Sequence, residues 1–448
     1  MGKSTSSLLL HSKLFFFFSL LSLSFTLFLL FNPSSLPRRC IPVRFLPSDL
    51  IQHPLFFYPT SYGEHKYAIP TVRSSCTISV PFQNYMVVFR EFQDSMRNST
   101  LSEEKRRLRY LSENRSTFAG NFSTKERRSF FSFNEGQREI PCGFMKDFML
   151  SNSDRMAMEN CRGLVIVSAI FNNHDKIRQP KGLGTKTLRT ACFFMFVDDK
   201  TIEGLKVHNI VLNKTGETKI GVWRIVKVLQ ELPYQNPAMN GVIPKHLVHR
   251  LFPNAHYSIW VDAKIQLTAD PLLLLHSLLI SKDADMAISN HPFNIHTMEE
   301  AMATSRWKKW GDIQSLREQM EAYCENGLQP WSRKKLPYRT DVPDTALILR
   351  KHGIRNNLFS CLLFNELEAF NPRDQLSFAY VRDLMKPRIK MNMFEVEVFE
   401  QIAMEYRHNI KKGEGASYAV KSKMASTKDI DGSKCEKYLA EMWADSHD

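Results

Sequence analysis

The sequence predicts an α/β domain built on a wound, mostly parallel sheet. Short apolar runs recur at Leu164–Phe171, Ala191–Val197, Tyr257–Val261 and Asp285–Ser289. Continuous apolar runs of this length suit strands buried on both faces, as parallel strands are. Segments of helical period separate several of them, which is the alternation of a wound sheet. The runs also end in polar clusters: Asn172–Lys176, Asp198-Asp199-Lys200, Asp262 with Lys264, and Asn290-His291-Pro292. Ligands of open α/β sheets bind just past the carboxyl ends of strands, so these clusters are site candidates.

The chain begins with a membrane-directed segment. Leu14–Phe31 is eighteen residues without a charge, at the lower limit for a span, and Ser34-Ser35-Leu36 makes a poor signal-peptide cleavage site. Basic residues lie on both sides, so charge alone does not orient it. Four N-x-[ST] sequons do, at Asn98, Asn114, Asn121 and Asn213, three of them within 26 residues. They place the bulk of the chain in the lumen of the secretory pathway. The expected organisation is a cytosolic tail (1–13), a transmembrane signal-anchor (14–31), a lumenal stem (32–135), an α/β catalytic domain (136–412) and a basic flexible tail (413–448).

Within the stem, Tyr85–Phe89 reads as a strand and Glu103–Arg109 as a short exposed helix. Ser, Asn and Arg dominate the rest, which suggests a surface segment. In the domain, further strands are expected at Asn209–Leu212, Gly221–Lys227, Ile265–Leu267 and Ala346–Leu349. Ile243–Phe252 reads as a helix with Pro244 in its first turn. Pro271–Ile280, Leu358–Phe370 and the segment from Asp374 to Leu384 also read as helices. Met298–Tyr323 reads as one long charged surface helix. Eight scattered cysteines lack any C-x-x-C pair; Cys142 with Cys161 is the cheapest disulfide, and Cys192, inside an apolar run, suits a buried thiol.

A formal charge of +14 suits anionic surroundings such as headgroups, phosphates or acidic glycans. No zinc-finger spacing, RNA-binding aromatic motif or basic helix is present, so no nucleic-acid partner is expected. The G-x-S-x-G elbow, H-E-x-x-H motif, dinucleotide fingerprint and P-loop are missing too. The remaining chemistry lies in Asp198-Asp199, Asp262-Ala263-Lys264, Asp341 to Asp344, and Arg373-Asp374, all at expected strand ends or helix starts. GT-A glycosyltransferases use such an arrangement, with a D-x-D after a strand holding Mg²⁺ or Mn²⁺ against a diphosphate. Here Lys264 replaces the second carboxylate, which leaves Asp262 as the one metal candidate and puts metal dependence in question. His246 and His249, three apart, face one another's side of a helix, though core positions are the commoner fate of such residues.

From Val165 to His408 the sequence resembles a plant Golgi family. The resemblance rests on Gly221–Val226, Gly241–Ala255, Trp260–Lys264 and Phe370–Gln375, with Ala263 standing where relatives usually carry Gly. The family has two branches: an alkaline ceramidase, the turgor regulation defect protein, and a mucilage-related protein described as a probable hexosyltransferase. Thr297–Thr304, Tyr323–Leu328 and the short stem resemble the first branch more closely. That resemblance implies hydrolysis of the ceramide amide to a sphingoid base and a fatty acid. Asp262 or Asp374 is then the base, and Lys264 or Arg373 polarises the carbonyl. The alternative is transfer of a hexose from a nucleotide sugar by a GT-A-like domain. There Asp262 and Lys264 hold the diphosphate, Lys245 and Arg224 assist, Asp198 and Asp344 line the substrate site, and Asp374 serves the acceptor. A divalent cation belongs only to that alternative.

Overall fold

The computed structural model describes residues 15–25, 40–41, 46–63, 76–99, 108–112, 116–133, 139–210, 218–229, 231–307, 309–406, Cys435 and Leu439. Among the described residues ten strands follow one another: β1 (Leu164–Ile170), β2 (Cys192–Val197), β3 (Lys219–Ile220), β4 (Trp223–Lys227), β5 (Tyr257–Val261), β6 (Ile265–Leu267), β7 (Met286–Asn290), β8 (Pro343–Lys351), β9 (Met391–Phe394) and β10 (Ala403–Glu405). Eight form one sheet in the order β3-β4-β2-β1-β5-β8-β7-β9, and β10 pairs with β6. The run β4-β2-β1-β5 is parallel, as is β7 with β9. The long strand β8 lies antiparallel between β5 and β7, so the sheet is mixed rather than uniformly wound.

Alternate side chains along each strand enter two different cores, the period-two rule of a strand buried on both faces. Val165, Val167, Phe194, Phe196, Trp260 and Ile348 join one core. Helices Pro237–His246, Thr297–Arg306, Ile354–Ala369 and Asp374–Leu384 cover that face. Ile166, Phe193, Met195, Ile259, Leu347 and Leu349 join the other, under helices Tyr85–Ser99, Pro271–Leu278 and Val396–Ile402.

Several expectations are corrected. Tyr85–Phe89 is not a strand but the start of helix Tyr85–Ser99, capped by Asn84, whose Oδ1 accepts from the Met86 amide at 3.0 Å. Its buried residues Tyr85, Val88 and Phe92 keep helical spacing, which outweighs the β-branched pair Val87-Val88. The segment expected to be an exposed stem is packed: Tyr85, Phe92, Phe118, Phe130 and Phe131 are all buried. Arg127 forms a buried pair with Glu366 at 2.8 Å. Of the expected helix Glu103–Arg109, Leu108 and Arg109 are not helical and the rest lies outside the described residues; the Ile140 amide donates to the Arg109 carbonyl in an extended pairing.

The helix read from Ile243 starts earlier, at Pro237, with Asn236 as its N-cap; Pro244 sits inside it. The chain breaks at Leu247 and resumes as Val248–Leu251. Met298–Tyr323 is two helices, Thr297–Arg306 and Ile313–Glu325, the second capped by Asp312. The first is largely buried and is no surface arm. Asn209-Ile210 is not strand, and the remainder of that run lies outside the described residues.

The disulfides are Cys142–Cys361, Cys161–Cys192 and Cys324–Cys435. Both the expected Cys142–Cys161 pair and the free Cys192 are therefore overturned: Cys192 at the start of β2 is beside Cys161, just ahead of the adjacent β1. Among the described residues no helix is long and apolar enough to cross a membrane. Of the expected anchor, Phe15–Phe25 is helical and exposed, and the rest lies outside the described residues, as does the basic tail apart from Cys435 and Leu439. Asn121 is exposed; Asn114, Asn213 and the Asn98 side chain lie outside the description.

Candidate active site

Strand β5 ends in Trp260-Val261 and the chain turns at once. The Ile265 amide bonds the Asp262 carbonyl at 2.8 Å, closing a turn over Asp262-Ala263-Lys264. The Asp262 amide bonds the Ala346 carbonyl at 2.8 Å, so this turn is stitched to the start of β8. Antiparallel pairing with β5 is what brings Asp344 and Thr345, at the amino end of β8, to the carboxyl end of β5. Asp262, Lys264 and Asp344 all remain partly exposed there.

Two ammonium groups serve this corner. Lys264 Nζ lies 2.8 Å from Glu405 Oε1. Glu405 reaches it because β10 pairs antiparallel with β6, setting Glu405 opposite Ile265. Burial disfavours the Lys264 cation, but Asp262, Glu405 and Asp344 outweigh it and hold its pKa above the ordinary lysine value. Lys245, from helix Pro237–His246, is 2.8 Å from Asp374 Oδ2, 3.6 Å from Asp262 Oδ1 and 3.2 Å from Thr345 Oγ1. Burial works against its charge as well, and Asp262 and Asp374 raise its pKa despite that. Both lysines stay cationic through the physiological range. Trp260 Nε1 donates to Asp262 Oδ1 at 2.6 Å, and its ring lies under the Lys245 ammonium.

The carboxylates differ. Burial pushes the Asp344 carboxyl up to about 6, with Lys264 opposing and Glu405 and Asp262 adding to the rise. Asp374 is buried too, yet Lys245 and His246 outweigh burial and hold it well below the usual carboxylate range. Its oxygens are fully engaged: Thr345 Oγ1 donates to Oδ1 at 2.8 Å, and Lys245 and His246 share Oδ2. Burial lowers His246 to about 4, so the ring is neutral at pH 7. Its Nε2–H then donates to Asp374, while Nδ1 accepts from Arg350 at 3.4 Å. Asp374 is thus a fixed anchor for Lys245 rather than the expected base. A proton acceptor needs a free lone pair and a pKa nearer the working pH.

The other expected residues are placed apart from this corner. Arg373 turns away from Asp374 to Glu300, a fully buried carboxylate that also meets Lys309 at 3.2 Å, His291 at 3.6 Å and Asn294 at 2.7 Å. Arg224 pairs with Asp154 at 2.9 Å on the far side of β2 and β1. Asp198 caps helix Asp199–Val207 through the Thr201 amide and accepts from the Asn172 amide at 2.7 Å, fastening the ends of β1 and β2. His249 points away from His246, toward the Cys142–Cys361 disulfide. Those sulfurs and His249 Nε2 lie within metal-ligand reach of one another, but a sulfur in a disulfide is no thiolate donor.

Glu405, Thr345, His246 and Trp260 were not foreseen as site residues. Only His246, beside Lys245 in one helix, left a local signal; Glu405 arrives by a pairing 140 residues away. The donor set does not suit Mg²⁺ or Mn²⁺. Glu405 pairs with the Lys264 ammonium, whose charge Asp262 and Asp344 also favour, and Lys245 sets a second ammonium 3.6 Å from Asp262, so these carboxylates already face protein cations.

Fold and site together define an α/β domain with a charged cluster of opposed lysines and carboxylates at the strand ends of its sheet. The chain belongs to the TOD1/MUCI70 family: the model of the TOD1/MUCI70, glycosyltransferase-like domain matches residues 100–408. It is 57% identical over 445 residues to "Alkaline ceramidase TOD1" of Arabidopsis thaliana, a match covering 95% of each chain. It is 36% identical over 356 residues to "Probable hexosyltransferase MUCI70" of the same plant, covering 76% of this chain and 60% of that protein. Among solved structures, mouse xyloside xylosyltransferase 1 is similar over 52% of this chain and 85% of its own, at 8% identity and a TM-score of 0.28. The bifunctional glycosyltransferase WbbM gives 8% identity and a TM-score of 0.27, over 52% of this chain and 39% of its own. Values so low carry no argument about this chain.

Proposed function

We propose that this protein is an alkaline ceramidase, hydrolysing the ceramide amide to a sphingoid base and a fatty acid. The observation that carries the reading is 57% identity with the ceramidase TOD1 along 95% of both chains. The site supplies the chemistry an amidase needs without a metal. The Lys264 ammonium polarises the amide carbonyl and receives the developing oxyanion. Asp344, ionised above about pH 6, takes a proton from the attacking water. The tetrahedral adduct collapses as the C–N bond breaks, and the same proton passes to the departing amine. Asp262, held by Trp260 and Lys245, orients Lys264 and the water.

Our reading of the setting is a Golgi membrane protein of type II orientation, anchored by residues 14–31, with glycans on its lumenal sequons. The uncharged run and the three disulfides support it, since stable disulfides belong to oxidising compartments.

A second reading, hexose transfer from a nucleotide sugar on a GT-A-like domain, is favoured by the position of Asp262 and Lys264 at the carboxyl end of a parallel strand and by 36% identity with MUCI70. On this reading Lys264 and Lys245 neutralise the diphosphate directly. The test uses purified protein of residues 32–448 and its Asp262→Asn variant, each given labelled ceramide across pH and a panel of sugar nucleotides with and without Mn²⁺. Fatty-acid release that the variant loses supports hydrolysis. Turnover of one sugar nucleotide with ceramide untouched overturns it in favour of transfer.

A further inference from the structure

The chain has eight cysteines, and three disulfides use six of them. The other two, Cys40 and Cys76, are far apart in sequence and neighbours in space, close enough for each thiol to act on the other's ionisation. Cys40 is fully buried and Cys76 half-buried. The backbone around them is already clasped. The Val80 amide donates to the Cys40 carbonyl at 2.7 Å, so the two stretches run side by side. The Ile41 amide donates to Gln401 Oε1 at 3.2 Å, and the Thr77 amide to Glu395 Oε2 at 2.8 Å. Both cysteines are therefore held against helix Val396–Ile402 and its N-cap Glu395.

A chain that keeps three disulfides matures where thiols are oxidised, and two neighbouring thiols on stretches clasped to each other and to one helix are placed to pair. We propose that Cys40 and Cys76 form a fourth disulfide, which closes residues 40–76 into a ring fastened to the catalytic body. Two S–H bonds break and one S–S bond forms. The two electrons and two protons pass by thiol–disulfide exchange to an oxidant disulfide, that of glutathione or of a disulfide-donating protein, which leaves as two thiols.

The ring buttresses the active site. Asp49 accepts from the Thr185 hydroxyl and the Lys186 amide, the Tyr62 hydroxyl accepts from the Ile177 amide at 2.7 Å, and Gln179 Nε2 donates to the Tyr58 hydroxyl at 2.8 Å. The tyrosine bonds hold the loop after β1, and those of Asp49 hold the helix Thr185–Thr190 that follows it. Within that loop Arg178 donates to the Ala263 carbonyl and lays its guanidinium over the Tyr406 ring. Ala263 and Tyr406 flank Lys264 and Glu405. The bridge thus fixes, through one layer of side chains, the loop that borders the site.

The experiment takes the full chain from a secretory host, denatures it in a maleimide without reductant, digests it with trypsin and reads it by mass spectrometry. The expected result is one species joining peptides 40–44 and 74–90, separated by reductant, with neither cysteine labelled. Maleimide on both Cys40 and Cys76 overturns the proposal. In a Cys40→Ser variant Cys76 becomes fully labelled; if it stays unlabelled, another partner holds it and the proposal fails. The double serine variant melts several degrees lower, and an unchanged midpoint overturns the fastening role.

Discussion

Asp374 has Thr345 on one carboxylate oxygen and Lys245 and His246 on the other, and burial leaves water no share in it. Its folded pKa is depressed against the direction burial alone would drive it. The stabilisation it contributes is therefore complete above the ordinary Asp value, about 3.9, and is lost as pH falls through the lower folded value. Asp374→Asn leaves Lys245 with one weaker partner and is expected to cost about 3–5 kcal/mol at pH 7, the usual penalty for breaking a buried pair. Urea unfolding at pH 7 and pH 3 checks this: the gap between wild type and variant narrows in acid, and a constant gap refutes the ion-pair account. Asp344 responds in the opposite sense. Its pKa of about 6 makes the base competent only above that pH, so kcat/KM for ceramide rises with a limb centred near 6 and stays high into alkali. Asp344→Asn lowers turnover about 10²–10⁴-fold, the usual weight of a general base. A limb near 4 would assign the role elsewhere. The sequence made Asp262 and Lys264 legible because a strand end and a turn are local. Which carboxylate is free to act was not legible, because that depends on Lys245 and His246 arriving from one helix and Glu405 from a distant strand.

Elements were legible in proportion to how far they declare themselves locally. Strands β1, β2, β5 and β7 were read within a residue or two, since continuous apolar runs bounded by polar clusters have few other folded uses. The antiparallel placement of β8 was invisible: nothing in Ala346–Leu349 records the direction of its neighbours. Helix boundaries failed where a proline or a cap had two readings, as at Pro244, or where a polar break such as Trp307–Asp312 kept a helical composition. One element carries a sharper test. Gly221 turns β3 into β4 with φ +62°, and a Cβ there would fall 2.1 Å from Gln179 Oε1. Gln179 is a hub, accepting from the Val222 amide at 3.0 Å and donating to the Ile220 carbonyl at 3.0 Å and to Tyr58. Gly221→Ala both strains the backbone and expels this side chain, for an expected loss of about 2–4 kcal/mol. Thermal unfolding of the variant reads it; a shift within error would mean that the loop after β1 repacks freely.

At the scale of the whole molecule, the segment before residue 100 behaves as part of the catalytic body. Tyr85, Val88 and Phe92 are buried in the same core as Ile166, Ile259, Leu272 and Leu275. The Tyr85 hydroxyl accepts from the Thr187 amide at 3.0 Å, and Thr187 in turn donates to Asp270 Oδ1 at 2.9 Å, the cap of helix Pro271–Leu278. Removing this layer strips the face of the sheet opposite helix Pro237–His246, leaves a large apolar patch in water and opens the buried Asp270 to solvent. A protein of residues 100–448 retains the whole stretch matched by the family model, yet it lacks that cover. It is therefore expected to aggregate or to unfold tens of degrees below a protein of residues 32–448, while both keep Cys142–Cys361, Cys161–Cys192 and Cys324–Cys435 available for pairing. Size-exclusion chromatography and thermal unfolding of the two, purified side by side, decide the matter. A monodisperse 100–448 protein with the same midpoint would show that residues 40–99 lie on the domain without supporting it, and would return them to the role of a spacer.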